Sequence, residues 1–344
     1  MKILLTGKSD FSYNRTRVLI KGLEQSEGVE LVYYPIKKGI SFNSEEFTEL
    51  SKSCDIVYIP PFRHSDVKFI QRRSACPVVF DALISKYLTR TIDHGKWWTA
   101  LGKTLRDRVA FKNSDYILMD TEAHKQYIVD RYSLTGQSVL TLPVGVDVDL
   151  FAPLSEDESD IFKVGFYGGF IPLQGVDRII EAANLLRGHS DIRFELIGKG
   201  PRFNQMKALA SKLKVDNLDF LGWVSYLGLN EKINSFDLCM GIFGDSLKTD
   251  LVVPNKVYHY AALRKCIITK NTEAINEVFE DNQNIVLTSN DPVDIAAAIL
   301  DLKENKSRRS EIAKNGFKLI QNSYNQKAIA DVFLSFFRKE LKIN

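Results

Sequence analysis

Residues 163–186, KVGFYGGFIPLQGVDRIIEAANLL, constrain the fold more than any other stretch. Residues 164–167 form a short apolar run that reads as a buried strand. Gly168 and Gly169 follow, then a Phe-Ile-Pro-Leu-Gln turn that closes on Gly175. From Val176 the apolar residues fall at Val176, Ile179, Ile180, Ala183 and Leu186, the spacing of one helix face. Strand, glycine turn and helix in that order form a building unit of an open α/β sheet. Glycines let a ligand approach the backbone, and the first amides of the helix point into the turn. Ligands of such sheets sit at the carboxyl ends of the strands. The same residues also fit a tight strand-to-helix turn that binds nothing.

The alternation recurs along the whole chain. In the first half, strands are expected at 2–6, 29–34, 55–59, 77–80, 116–120 and 139–142. In the second they are expected at 164–167, 194–197, 218–221, 238–242, 266–269 and 285–287, with helices between them. Regular alternation predicts parallel sheets joined by helical crossovers. A chain of 344 residues exceeds one ordinary core, so two α/β domains are expected. The segment PVGVDVDLFAP (143–153) runs into an acidic, poorly apolar stretch, LSEDESD, which reads as a linker. The expected division is 1–150, 151–325 and a final helix, 326–344, long enough to pack back on the first half.

Composition removes several function classes. A charged fraction of 26% and a hydrophobic fraction of 44% describe a soluble globular protein. The net charge of +3 gives no general argument for a nucleic-acid partner. Cys54, Cys76, Cys239 and Cys266 are scattered, so neither a zinc site nor a disulfide framework is expected, which fits a reducing cytoplasm. The opening MKILLTGKSD reads as a first strand rather than a signal peptide, and no apolar run approaches a membrane span. The first strand–helix turn lacks G-x-G-x-x-G, and the phosphate-loop, G-x-S-x-G and H-E-x-x-H patterns are absent. Asp147 and Asp149 lie in the linker and are not read as a metal clamp. Neither a metal nor a resident cofactor is expected.

Several residues are placed to carry chemistry. Gly7, Lys8 and Arg15 flank the first strand–helix turn and could face a cleft, although Arg15 reads equally as a solvated helix start. Asp81 stands at a carboxyl strand end, as a crevice residue or a turn cap. Thr121 is a good N-cap, which puts His124 in a first helical turn as a site residue or a structural one. Residues 96–112, KWWTALGKTLRDRVAFK, combine Trp97, Trp98, Leu101, Leu105 and Val109 with at least five cations. That pattern suits contact with an anionic membrane, and it also suits a helix packed on the sheet with a solvated basic face. In the second half, glycine or polar turns at Gly168-Gly169, Gly198-Lys199-Gly200, Gly222-Trp223 and 244–256 end successive strands and outline one crevice. Asn255 is expected to cap a helix whose first amides, with the Lys256 ammonium, form an anion site; a capped surface helix is the bland alternative.

Together these motifs resemble a known family. GGFIPLQGVDRIIEAANLL, FELIGKGP, DFLGWVS, VVPNKVYHYAALRKCIIT and EAINEVF, in this order and spacing, resemble the carboxyl-terminal domain of family 4-like glycosyltransferases of the GT-B fold. ILMDTEAHKQYIVDRY and LTLPVGVDVDLFAP resemble the segment ahead of the domain junction in the same enzymes. The resemblance implies an α/β, GT-B architecture of two facing Rossmann-like domains with parallel sheets. It implies a metal-independent, retaining transferase that takes a nucleotide sugar as substrate and serves a glycan or lipid-linked acceptor in surface glycan synthesis. The expected place is the cytoplasm, with peripheral membrane contact through 96–112 left open. Carried over by position, Gly168 and Gly169 would admit the diphosphate, Trp223 and Val224 would meet the base, and Asn255 and Lys256 would hold phosphate. Lys199 is a further candidate cation. The chain also departs from the family. Gly169 and Gln174 occupy the places of an arginine and a lysine beside the glycine turn, and Leu251 and His259 occupy those of the E-x7-E glutamates. A degenerate, non-catalytic binding protein is therefore the competing reading, and an epimerase or phosphorylase of the same architecture is a third. On the first-domain side, Asp81 and His124 are the candidates for catalysis, with Gly7, Lys8 and Arg15 toward the acceptor.

Overall fold

The computed structural model describes residues 1–8, 11–36, 42–155 and 159–343. Residues 9–10 of the expected first loop and residues 156–158 of the expected linker lie outside the described residues. The chain divides into two compact units, Met1–Asp147 with Tyr324–Asn344, and Val148–Ser323.

The first unit holds six parallel strands, β1 (Lys2–Gly7), β2 (Glu30–Pro35), β3 (Ile56–Ile59), β4 (Val78–Asp81), β5 (Tyr116–Met119) and β6 (Ser138–Thr141), in the order β2-β1-β3-β4-β5-β6. Alternate residues of each strand supply opposite faces, as the pleat requires. Leu4, Val57, Ile59, Val78, Phe80, Ile117 and Met119 form one core with Phe47, Val67, Ala110 and Phe111. Ile3, Leu5, Ile56, Tyr58, Val79 and Leu118 form the other with Val18, Leu19, Ile329, Ala330 and Phe333. The helix Gln326–Leu341 therefore belongs to this unit and packs on the helix Asn14–Glu24. Gly22 is the point of approach, because a Cβ there would lie 2.0 Å from the Gln326 carbonyl oxygen.

The second unit holds β7 (Phe162–Tyr167), β8 (Ile192–Ile197), β9 (Leu218–Gly222), β10 (Leu238–Met240), β11 (Cys266–Lys270) and β12 (Val286–Thr288), all parallel, in the order β12-β11-β10-β7-β8-β9. This is the doubly wound Rossmann order, and its strand order reverses between β7 and β10. Val164, Phe166, Phe194, Leu196, Leu238, Met240 and Ile268 pack with Ile179, Ile180 and Ile299 in one core.

All twelve expected strands are present. Three local readings change. The expected loop 244–254 contains a helix, Leu247–Leu251. The 96–112 helix begins as a tight turn, Trp97–Thr99, before the α-helix Ala100–Lys112. Pro254, not Asn255, is the N-cap of the helix Asn255–Ala262, and no side chain caps it. Proline fits there because its extended dihedrals enter the helix without needing its missing N–H.

Candidate functional site

The order reversal in the second unit sets the site. The helices after β7 and β10 leave in opposite directions, which opens a crevice at the carboxyl ends of these two strands. Beside it, at the carboxyl ends of β7, β8 and β9, lies a cavity of about 350 Å³ lined by Tyr167, Gly168, Gly169, Ile197, Gly198, Lys199, Trp223, Val224, Tyr226 and Leu229. Backbone shapes its floor. Gly198 has φ +136°, and a Cβ there would lie 1.9 Å from the Gly168 carbonyl oxygen. Only glycine satisfies both conditions. Trp223 is well exposed at the cavity rim.

Lys256 sits directly behind this wall. A Cβ on Gly168 would lie 2.9 Å from Lys256 Nζ and 3.1 Å from Gln174 Oε1. Lys256 Nζ donates to Gln174 Oε1, in the turn after β7, and at 3.3 Å to the Gly241 carbonyl, just past β10. It also lies 3.5 Å from the centre of the Phe166 ring. The ammonium thus bridges the two strands between which the order reverses. It is buried among neutral partners, and burial drives its pKa well below the ordinary lysine value. A positive charge here has no counterion among the described residues, and a bound anion would supply one.

His259 is placed differently from a ribose-gripping side chain. It is buried, its ring stacks on Phe151 at 3.9 Å and 11°, and Nδ1 hydrogen-bonds the Tyr167 hydroxyl. Tyr226 meets the same ring edge-on at 6.0 Å. Burial lowers the His259 pKa to about 3, so the imidazole is neutral at pH 7. It supports the two tyrosines that line the cavity instead of lining it. Leu251 is an apolar buried residue. Asp250 is tied to Lys270 at 3.1 Å, and Asp245 to Arg178 at 3.3 Å and to Asn290. Asn255 is half-buried, is not the N-cap of its helix and does not line this cavity.

In the first unit the candidates join in pairs. Arg15 and Asp81 are both buried, and Arg15 Nε donates to both Asp81 oxygens at 2.8 Å. Tyr58 donates its hydroxyl to Asp81 Oδ2 at 2.8 Å, and Arg15 Nη1 donates to the Leu142 carbonyl at 2.5 Å. Arg15 is therefore neither solvated nor cleft-facing. Burial pushes the Asp81 carboxyl up, and Arg15 opposes that rise. Thr121 caps the helix Glu122–Tyr132 by accepting from the His124 amide at 3.1 Å. His124 Nδ1 lies 2.7 Å from Asp120 Oδ1, while its buried Nε2 has no hydrogen-bond partner among the described residues. Gly7 closes β1 with φ +115°, and the Lys8 amide donates to Asp66 at 3.0 Å beside Arg63.

The structure thus gathers Gly168, Gly169, Lys199, Trp223 and Val224 around one cavity, with Gln174 and Lys256 behind it. Tyr167 and Tyr226 were missed in the sequence, although Tyr167 is the last residue of β7 and strand-end position alone could have flagged it. Among the described residues no cluster of His, Cys, Asp and Glu could hold a metal ion, and no helix is long and apolar enough to cross a membrane.

Comparison with known proteins fits this geometry. Residues 152–319 match the family described as Glycosyl transferases group 1. No curated protein matches the chain. Among solved structures, the chain is similar over its full length, and that of its counterpart, to a sucrose-phosphate synthase from Thermosynechococcus elongatus, with a TM-score of 0.79 at 12% identity. It is similar to Anabaena Alr3699/HepE in complex with UDP, with a TM-score of 0.76 at 13% identity, covering 98% of this chain and 100% of that one. It is also similar to the lipopolysaccharide outer core galactosyltransferase WaaB, with a TM-score of 0.66 at 14% identity, covering 98% and 100%. The two six-stranded Rossmann-like units are those of the GT-B fold.

Proposed function

We propose that this chain is a retaining, metal-independent glycosyltransferase. Its donor is a nucleotide sugar bound in the second unit, and its acceptor is a glycan or lipid-linked glycan of surface polysaccharide synthesis. The observation that carries the reading is the cavity at the ends of β7, β8 and β9, whose glycine wall separates it from a buried lysine that has no counterion among the described residues. The family match over residues 152–319 supports it, and HepE structures with UDP and with UDP-glucose favour a uridine nucleotide. Peripheral membrane contact, on a cytoplasmic face, belongs to the same reading.

In this mechanism the diphosphate lies against Gly168 and Gly169. As the sugar–phosphate bond breaks, negative charge builds on the leaving diphosphate, and Lys256 and the turn amides stabilise it. Fixed donors in a dry wall need no reorganisation, so they favour the transition state over the bound donor. Trp223 and Val224 form the base side, and Lys199 is a second, exposed cation. Tyr167, held by His259 at the second glutamate position, is assigned to the ribose side. In the first unit, His124, with Nδ1 fixed by Asp120, is assigned to the acceptor side. We assign Asp81 to holding Arg15 rather than to the chemistry.

The test is a thermal shift against UDP-, GDP-, dTDP- and ADP-sugars, with and without EDTA, followed by proton NMR of the transfer product. A ligand of the native state raises the midpoint by mass action. A UDP-sugar shift indifferent to EDTA and a product of retained anomeric configuration are expected. The second reading, a degenerate binding protein, rests on buried Leu251 and neutral His259 at the glutamate positions. Donor binding without turnover on any glycan acceptor would establish it.

A further inference from the structure

The helix Ala100–Lys112 has two apolar faces, and only one of them is used. Ala110 and Phe111 turn inward to the first unit's core, with Asp107 beside them. Asp107 is satisfied by Ser85 Oγ at 2.7 Å, the amides of Lys86 and Tyr87 at 3.0 and 2.9 Å, and the Tyr132 hydroxyl at 3.0 Å. The opposite face carries Trp98, Leu101, Leu105 and Val109, three or four residues apart and so in one line along the helix. Their relative exposures are 80%, 75%, 50% and 41%, and Trp97 next to them is 62% exposed. The sequence left open whether this segment packs its apolar residues on the sheet. It does so with Ala110 and Phe111 and leaves the larger ones in water. Scattered exposed leucines are ordinary, but a continuous line of two tryptophans and three aliphatic residues is not.

The charges around the line have one sign. Residues 86–112 contain seven cations, Lys86, Arg90, Lys96, Lys103, Arg106, Arg108 and Lys112, and two carboxylates, Asp93 and Asp107, both buried. None of the seven forms an ion pair among the described residues. Arg108 and Lys112 fall on the exposed face itself, one helical turn from Leu101, Leu105 or Val109. Burial lowers the Lys86 pKa, and the neighbouring Arg106, Lys103 and Arg63 add to that against the pull of Asp107. The chain as a whole carries only +3, so positive charge is concentrated here.

We propose that Trp97, Trp98, Leu101, Leu105 and Val109, with the surrounding lysines and arginines, dock the first unit onto an anionic lipid bilayer. The helix lies in the interfacial plane, its apolar line dips among the acyl chains and its cations meet lipid phosphates. Tryptophan favours this interface because its ring is apolar and its N–H finds a partner among the headgroups. A second copy of the chain is a poorer occupant, since a symmetric contact would bring the cation clusters together. The inference rests on the glycosyltransferase reading only for what the docked protein would meet, a lipid-linked acceptor; docking itself needs no catalysis.

The experiment is co-sedimentation of the full chain with vesicles of phosphatidylcholine alone and of phosphatidylcholine and phosphatidylglycerol in equal parts, at low and at raised salt, without any nucleotide. The chain is expected to pellet with the anionic vesicles only, to be released by salt, and to show blue-shifted tryptophan emission when bound. Leu101→Glu with Leu105→Glu should abolish pelleting. Arg106→Ala with Arg108→Ala should weaken it about fivefold per cation. These side chains are exposed, so the variants should keep the wild-type thermal midpoint and donor-induced shift, and this separates a failed surface from a failed donor site. Equal partition onto both vesicle types, or none onto either, overturns the proposal. So does a wild-type dimer in sedimentation that Leu101→Glu with Leu105→Glu converts to monomer.

Discussion

The two sheets treat the carboxyl ends of their strands in opposite ways. In the first unit the strand ends carry polar groups paired with one another, Arg15 with Asp81 and Tyr58, and Asp120 with His124, although Arg15 Nη2 and His124 Nε2 have no hydrogen-bond partner among the described residues. In the second unit they are opened by glycines, and the buried amine behind them, Lys256, has only neutral hydrogen-bond partners among the described residues. A buried charge with its counterion contributes to the unit's integrity. A buried charge without one is a standing cost to the fold, and an anionic ligand would relieve it. Under the proposed function, the first cluster is structural and the second binds the donor, and the contrast offers a way to test that.

The largest effect should come from breaking the sealed pair. Arg15→Met leaves the Asp81 carboxyl buried with only Tyr58, and should cost about 3–5 kcal/mol in urea denaturation. Adding Asp81→Leu should recover most of that loss, because both charges are then gone. If Arg15→Met left stability unchanged and abolished transfer instead, the first unit's cluster would be a substrate site and the comparison would fail.

Lys256→Met should do the reverse in the second unit. The lysine's folded pKa is depressed by burial, so below the unfolded pKa the unfolded chain binds a proton that the folded chain must give up or hold at a cost. That destabilisation holds at pH 7 and fades as pH rises toward the unfolded value. Methionine removes it, so the melting midpoint should rise, by about 2–4 °C for each kcal/mol relieved. The variant should at the same time lose about 10- to 100-fold in donor binding or kcat/KM, the scale of one charged hydrogen bond. Higher stability with unchanged donor affinity would make Lys256 a packing residue.

These contrasts were only partly legible in the sequence. Apolar-rich runs of three to six residues separated by helical spacing marked all twelve strands, because burial on both faces leaves a near-continuous apolar signature in the central ones. Gly168 and Gly198 were legible as turns because their backbone demands are local. The pairing of Arg15 with Asp81 was not, since it joins residues 66 apart and is set by strand order. Nor was the face of the 96–112 helix. Its apolar residues lie on two sides, and periodicity alone does not tell which side meets the core. The 259 position showed that a glutamate was missing but not what replaced it, because the stack of His259 on Phe151 depends on a contact across the unit.

The smallest effect concerns two histidines, one in each unit, that both differ from the lysine in needing no ligand. His64 lies edge-on to Phe80 at 4.9 Å in the first unit, and His259 stacks on Phe151 in the second. Burial lowers both pKa values from 6.5 to about 3, with Lys86 adding to the effect on His64. Both rings are neutral when folded. Between about pH 6.5 and 3 the unfolded chain takes up each proton while the folded chain does not, so stability falls as pH falls. Each histidine contributes a slope of about 1.4 kcal/mol per pH unit inside that window and nothing above it. His259→Phe keeps a ring on Phe151 and should remove one proton's worth of slope, alongside a pH-independent loss of about 1 kcal/mol from the Tyr167 hydroxyl. His64→Phe should remove a similar slope and leave donor affinity alone, whereas His259→Phe should raise the donor KM through Tyr167. Urea midpoints taken from pH 7 to pH 4 read the slopes, and titration with donor reads the difference between the units. Equal donor affinities for the two variants would sever His259 from the cavity and reduce it to a second His64.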